Sequence, residues 1–477
     1  CRTVAFTADL TVLAVSQREY PLHTGFAGEA EQDPEEIFAA ACATIAGAVS
    51  QLPRGAQVAG LVLTAAMHSF LCLDGEKRPL TRAWTWADAR SQRQADQLKQ
   101  VWGDRFYQRT GCPFHPMYWP AKLAYIQECH PEVWRRTRLV MSLKDYVVYR
   151  LTGRLMSDQS LASATGVFNT HKLDWDPWLT AQLGVPQEFL LPAADPFTVL
   201  DGLLPAQAET LGLPAGVPVI LGASDGAMSN LGCGAVQPNS MALMVGTSGA
   251  LRVVRKEPLL SPHQHTWCYY LGHRRWIVGG STNNGGNALK WLRDNLFAGE
   301  LGYDEITALA ASVPPGSRGV RFLPFLAGER CIHWRGRATG AFLNLALAHG
   351  RAELARAVLE GVAFQMYTVY EALCQVAGTP EEIRATGGLT NSLLWLEIFS
   401  GVFRKPLLLP DYGEGSAQGA ALLAMVALGW LPSLEMAAEQ IRIQGVVEGE
   451  AAPVYAVAYA QYCQLYAALA PFYDEAH

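Results

Sequence analysis

Apolar and polar positions fall into short blocks along this chain, and the spacing within each block separates strands from helices. The opening "CRTVAF", "TADLT" and "VLAVSQREYPL" predicts strand, tight turn, strand, the turn carrying the Asp and Thr that favour local side-chain to backbone bonding. In "EQDPEEIFAAACATIAGAVSQL", Asp33 is placed to cap, Pro34 suits the first helical position and Glu36 completes a capping box, so a helix is expected. "VAGLVLTAAMHS" is apolar throughout and of strand length, which predicts one strand buried on both faces and ending at Met67 and His68, where strand ends tend to meet ligands.

From about residue 90 to 190 the period becomes helical. "SQRQADQLKQVWGDRFYQRTG" and "PEVWRRTRLVMSLKDYVVYRLTG" each close on a C-terminal glycine. Strands resume at Val217, and "QPNSMALMVGTSGALRVV" starts a second strand, Gly-turn, strand unit. Of the later segments, "RRWIVGGSTNNGGNALKWLRDNLF" and "IRATGGLTNSLLWLEIFSGVF" run strand, glycines, helix, while "YDEITALAASV" and "EGVAFQMYTVYEAL" read as core helices. No short-period repeat or low-complexity tract interrupts this order.

The length of 477 residues exceeds what one hydrophobic core usually serves, and two domains are expected, residues 1–236 and 237–477, with a ligand cleft between them. Half the residues are hydrophobic, enough for two cores. The net charge of −6 and the scatter of Lys and Arg disfavour a nucleic-acid face or a polybasic membrane patch, which points to small-molecule chemistry. Ten cysteines without a C-x-x-C pair read as reduced thiols in a cytoplasmic protein. No apolar run approaches the roughly 20 residues of a membrane helix, and the first residues lack a signal-peptide core.

Four glycine-rich turns follow apolar strands, at Gly246 to Gly249, Gly279 to Gly286, Gly387 to Gly388, and Gly222 to Gly226. Each is either ordinary turn punctuation or a place where backbone N–H groups approach an anion. Neither a P-loop nor a dinucleotide fingerprint is present, which leaves the paired-domain ATPase architecture whose hairpin turns grip phosphates from either side. Asp225, among Gly222, Ala223, Ser224 and Gly226, is either a general base with room for a hydroxyl to approach or a cap for the next segment. His68 reads as a structural histidine or as a polyol ligand. In "WTWADAR", Trp86 offers a flat wall with Asp88 and Arg90 as polar ends, or a core residue followed by a solvated helix start. His263 and His265 lack a third ligand at sensible spacing, so no protein metal centre is expected.

An ordered series of motifs resembles the FGGY carbohydrate kinases of the actin and hexokinase ATPase superfamily. It comprises "AMHS", "WADAR", "TGCPFHPM", "KDYVVYRLTG", "DQSLASATGVFN", "GASDGAMSNLG", "MVGTSGALR", "NNGG", "LAGER", "EGVAF" and "ATGG". The resemblance implies an α/β fold of two actin/hexokinase-like (ribonuclease H-like) domains flanking a central cleft. It implies Asp225 as catalytic base, and Met67, His68, Trp86 and Asp88 around the sugar. Gly246, Thr247 and Ser248 would meet the ATP phosphates, with Gly286, Gly388 and Asn391 around the rest of the nucleotide. Arg90 and His115 are added as candidates for a substrate carboxylate, because an anionic acid needs a cation or donors that a neutral ketose does not.

Within the family "AMHS", "TGxPxHPM" and "GTSGALR" are most like gluconokinases, with xylulokinase-like enzymes next. The expected reaction is therefore ATP- and Mg²⁺-dependent phosphorylation of a sugar acid, D-gluconate giving 6-phosphogluconate. A ketose or polyol kinase is the alternative, and a non-catalytic sugar-binding protein the alternative of another class. A homodimer is compatible with this expectation. The family's opening strand, with an acidic residue and a Gly-Thr turn that grip phosphate and anchor Mg²⁺ through water, would lie just before Cys1, so little or no turnover is expected of the literal 477-residue chain.

Overall fold

The computed structural model describes residues 1–26, 28–450 and 452–475. Its first half is built from small sheets and many short helices. β1 (Arg2–Phe6) pairs antiparallel with β2 (Val12–Gln17) across the Thr7–Thr11 turn, as the opening pattern predicts. β3 (Ala30–Gln32) leads into α1 (Pro34–Val49), whose first turn is capped by Asp33 accepting from the Glu35 and Glu36 N–H groups. Glu36 does not close the expected capping box; its carboxylate lies 3.7 Å from His23.

The apolar run before Met67 is not one long strand. Only β4 (Leu61–Val62) is regular, pairing parallel with a strand near residue 219, and Ala65 then makes a single bridge to Ser224. The reason lies in the neighbouring chain. Gly222 has φ +69° and passes so close that a Cβ there would collide with the Leu63 carbonyl oxygen, so the two segments touch backbone to backbone where a ladder would continue.

β5 (Ala83–Trp84) pairs with β3, and α2 (Trp119–Cys129) lies behind it. The segment from Pro131 is interrupted by a short strand, Leu139–Met141, before α3 (Leu143–Thr152) ends on left-handed Gly153. β6 (Val219–Ile220) then runs into α4 (Asp225–Gly232), capped by Ser224, whose hydroxyl accepts from the Ala227 N–H.

The second half is dominated by one mixed seven-stranded sheet. Its strands are β7 (Ser240–Val245), β8 (Gly249–Arg255), β9 (Trp267–Gly272), β10 (Arg275–Thr282), β11 (Glu382–Thr386), β12 (Leu407–Pro410) and β13 (Ile443–Val447), in the order β9-β10-β8-β7-β11-β12-β13. α5 (Gly286–Trp291) follows β10, the 27-residue core helix α6 (Arg351–Ala377) precedes β11, and α7 (Leu393–Phe403), α8 (Gly415–Ala427) and α9 (Pro453–Glu475) complete the layers. Gly279 and Gly280, expected in a turn, sit inside β10. Side chains there would strike Trp267 on one face and Val369 on the other, so their smallness serves sheet packing.

Two of the contacts between the halves stand out among the described residues. α4 crosses α8 at glycine contacts, a Cβ on Gly419 having no room beside the Met228 carbonyl. The edge strand β9 docks on the first half, with Cys268 N donating to Gly111 O (2.9 Å), Tyr270 N to the Ser163 hydroxyl (2.8 Å), and the Tyr118 and Tyr269 hydroxyls 2.6 Å apart. Among the described residues no helix is long and apolar enough to cross a membrane.

Candidate active site

Asp225 is the first residue of α4, and its N–H donates to Ala65 O (2.9 Å), which fixes the head of the helix against the segment leading to Met67 and His68. One carboxylate oxygen accepts from the Gly226 N–H (2.7 Å), and the other takes no partner among the described residues. Burial raises its pKa, and the guanidinium of Arg252 on β8 works against that rise. Arg252 packs over Gly226, its Nε 3.6 Å and its Nη2 3.7 Å from where a Cβ would stand, and its buried Nε and Nη1 have no hydrogen-bond partner. A carboxylate at the head of a helix, with one free oxygen and a cation beside it, can take a proton from an incoming hydroxyl.

His68, three residues beyond the Ala65 carbonyl that Asp225 N bonds, has φ +70°, a left-handed conformation that costs a non-glycine residue roughly 1–2 kcal/mol. Two contacts impose it. Buried Lys122 donates to His68 O (2.6 Å) and to Thr85 O (2.9 Å), and His68 Nδ1 donates to Ala164 O (2.7 Å). The bond to a carbonyl puts the ring proton on Nδ1, so Nε2 is left as an acceptor. Burial, and then the charge of Arg330, keeps the ring neutral. Burial likewise lowers Lys122, to about 7. Since Lys122 ties His68 to Thr85, Trp86 stands beside the Met67–His68 segment with its ring half-exposed. Met67, Ser224, Gly226, Trp267 and Tyr269 line a narrow gap between the halves.

The remaining first-half candidates divide. Asp88 and Arg90 are not open polar ends of a pocket. Asp88 is buried and accepts from Ala30 N (3.0 Å) and from Arg90 Nη2 (2.7 Å) and Nε (3.1 Å), while Arg90 also bonds Glu31 (2.6 Å) and stacks 3.9 Å over Trp84. They form a clip that holds the "WADAR" turn to β3, and this corrects the expectation that Arg90 offers a cation to substrate. His115 is directed at the second half, its ring 6.1 Å from that of Trp334. Its Nδ1 accepts from Met117 N (3.2 Å), which leaves the proton on Nε2, and burial pushes its pKa down to about 3.

Beneath Asp225 lies a layer the sequence did not suggest. Lys144 on α3 donates to Leu221 O (2.5 Å), pairs with Asp158 (2.7 Å) and is fully buried, and Ser160 hydrogen-bonds the Ser224 hydroxyl (3.1 Å). Arg252 and Arg330 also went unremarked, although both close motifs quoted above, "GTSGALR" and "LAGER". An arginine ending a glycine-containing motif was the available signal.

On the other side of the cleft three glycine turns converge at the end of β7. Gly286 N donates to Gly246 O (2.6 Å), Gly285 N donates to Thr247 O (3.1 Å), and a Cβ on Gly387 would press on Val245 O at 2.6 Å. Gly246 itself opens on free space, with nothing within 4 Å of a Cβ, and Thr247, Gly388 and Asn391 are exposed. Ser248 sits between Thr247 and the start of β8. Such a ring of small residues leaves backbone able to approach phosphate groups.

Two family models match this chain: "FGGY family of carbohydrate kinases, N-terminal domain" over residues 1–232, and the corresponding C-terminal domain over residues 241–428. The chain belongs to the FGGY family of carbohydrate kinases. It is a phosphotransferase of the two-domain, actin/hexokinase-like architecture. Among relatives of this FGGY kinase is the gluconokinase of Bacillus subtilis, 35% identical over 92% of this chain and 88% of the relative. A xylulose kinase of Staphylococcus epidermidis is 29% identical over 88% of this chain and 84% of the relative. Two Lactobacillus acidophilus structures, a ligand-bound xylulose kinase and a gluconate kinase, each superpose with TM-score 0.96 at 31% identity, over 99% of this chain and 97% and 96% of theirs. Backbone likeness to the two is equal, so it does not distinguish between them.

Proposed function

We propose that this kinase transfers the γ-phosphoryl group of ATP to the primary hydroxyl of D-gluconate, giving 6-phosphogluconate and ADP. The higher identity to gluconokinases supports the substrate. The observation that supports the chemistry is the carboxylate of Asp225 at the head of α4, with one oxygen that takes no partner among the described residues and the Arg252 guanidinium beside it. As the substrate oxygen bonds the γ-phosphorus, its proton passes to Asp225, and the bond to the β–γ bridging oxygen breaks with its electrons leaving on ADP. Because the phosphoryl transition state is loose, alignment and charge stabilisation supply most of the acceleration.

Met67, His68 and Trp86 hold the sugar chain in this reading, His68 Nε2 accepting from a hydroxyl and His115 Nε2–H donating. Gly246, Thr247 and Ser248 meet the phosphates, and Gly286, Gly388 and Asn391 surround the rest of the nucleotide. Mg²⁺ shields the phosphates when bound. Such an ion would be carried chiefly by phosphate oxygens and water.

A ketose kinase is the second reading, favoured by the equal superposition on a xylulose kinase. A coupled ADP-release assay over aldonates, polyols and ketoses decides between them. D-Gluconate is expected to give the highest kcat/KM, and a neutral ketose ranking first would replace the proposal with the second reading.

A further inference from the structure

A short helix of the first half, Gln159–Ser163, bonds at one end to the turn before Asp225 and at the other to the second half. Its N-cap Asp158 accepts from Leu161 N (2.8 Å) and pairs with Lys144 (2.7 Å), the ammonium that also donates to Leu221 O. Ser160 holds Ser224 by two bonds, its hydroxyl donating to the Ser224 hydroxyl (3.1 Å) and accepting from Ser224 N (3.3 Å). Ser224 in turn caps α4 by accepting from Ala227 N (3.3 Å). The Ser163 hydroxyl accepts from Tyr270 N of β9 (2.8 Å) and donates to Ser160 O (2.8 Å). The carbonyl that follows, Ala164 O, is the one that takes the Nδ1 proton of His68.

β9 is an edge strand of the seven-stranded sheet, and an outward N–H on such an edge has to find its partner outside the sheet. Tyr270 N finds it in Ser163. A hydroxyl can accept and donate together, so two serines carry the contact from β9 to the cap of α4 without a break. Ser160, Ser163 and Ser224 are fully or nearly fully buried, where a lost partner leaves a polar group unsatisfied. The segment from Asp158 to Ala164 therefore registers three things against one another: the head of α4, the ring of His68 and the sheet whose glycine turns lie across the cleft.

We propose that Ser160 and Ser163 are positioning residues through which the docking of β9 sets the head of α4, and with it the carboxylate of Asp225, relative to His68. This rests on the proposed reading of Asp225 as the base. Both serines act through Asp225 and take no part in the proton transfer. One consequence is that the proton acceptor gains its working orientation from the half proposed to hold ATP, although it belongs to the other.

The test uses the full chain as wild type, Ser160→Ala, Ser163→Ala, both together, Asp225→Asn, and Ser160→Ala in the Asp225→Asn background. Turnover with ATP and D-gluconate is read by the coupled assay, folding by thermal melting, and the head of α4 by amide hydrogen exchange at residues 225–228. Ser160→Ala is expected to lower kcat about tenfold, since a misplacement of about 1 Å can cost 10²-fold, and Ser163→Ala about threefold. Both KM values should stay within about twofold. The two serine substitutions together should cost no more than Ser160→Ala alone, and Ser160→Ala should cost nothing further in the Asp225→Asn background. Ser163→Ala should speed exchange at residues 225–228 several-fold and leave α1 unchanged, a readout that needs no turnover. Faster exchange confined to residues 159–164, or a kcat loss by Ser160→Ala that persists in the Asp225→Asn background, overturns the proposal. Near-normal turnover in a folded Asp225→Asn overturns the base reading and this proposal with it. An inactive Asp225→Asn beside a folded Ser160→Ala of unchanged kcat overturns this proposal alone.

Discussion

The two halves of this kinase hold their cleft residues by opposite means. In the second half the glycine turns hang from the ends of a regular ladder, β7 between β8 and β11, so backbone pairing fixes their position. In the first half the sheets are fragments, and the segments bearing His68, Trp86 and Asp225 are pinned by buried charged side chains instead. Lys122 grips the carbonyls of His68 and Thr85, Lys144 grips Leu221 O, and Asp88 with Arg90 clips the "WADAR" turn to β3. A ladder spreads its hold over many bonds, whereas a pin concentrates it in one group. The first half should therefore be the more sensitive to single substitutions.

The sharpest break comes at the point the pins support. Asp225→Asn keeps the shape of the side chain and its helix position but cannot take the hydroxyl proton, so kcat should fall about 10²-fold or more with the melting temperature nearly unchanged. Near-normal turnover in a folded Asp225→Asn would remove the base from the mechanism.

The next two substitutions compare the halves directly. Lys144→Met takes the cation from Asp158 and the donor from Leu221 O, both fully buried, and should cost about 3–5 kcal/mol in urea unfolding. Gly280→Ala in β10 forces a methyl group against Val369, an overpacking worth about 1–3 kcal/mol. Because Leu221 lies on the approach to Asp225, Lys144→Met should also lower kcat, whereas Gly280→Ala should change stability alone. If the strand glycine proves the more damaging of the two, the contrast between pinned and laddered halves is wrong.

The same contrast explains what could be read from the sequence. α1, with Asp33 and Pro34 at its start, and the strand, glycine, helix units around Gly286 and Gly388 depend on near neighbours, and they formed where the pattern put them. The pins depend on distant partners. Arg90 pairs with Asp88 two positions before it but also with Glu31, 59 positions away, and Lys144 reaches Leu221 over 77, and the distant pairings leave no local trace. That is why Arg90 looked available for a carboxylate. The bend after Val62 was hidden for a similar reason, being imposed by Gly222 from another part of the chain. The resemblance to a family pointed to a cleft, but which charged groups near it are paired could be read only from the folded chain.

The smallest effect sharpens the comparison through protons. His115 titrates near 6.5 when exposed and is pushed down to about 3 in the fold, first by burial and then by the charges of Arg330 and Lys122. Between those values the unfolded chain binds a proton that the folded chain refuses, so stability is greatest above pH 6.5 and is lost as the pH falls towards 3. His68 acts in the same direction, and Glu329, raised to about 7 by burial, in the opposite one. His115→Gln leaves both of these in place and deletes one proton from the difference. Its unfolding free energy should therefore decline with falling pH less steeply than that of the wild type, by about 1.4 kcal/mol per pH unit between pH 6 and 4. Parallel curves in denaturant titrations at the two pH values would mean that His115 meets enough water at the cleft to titrate normally, and that its neutral Nε2–H is not held in readiness for an acidic substrate.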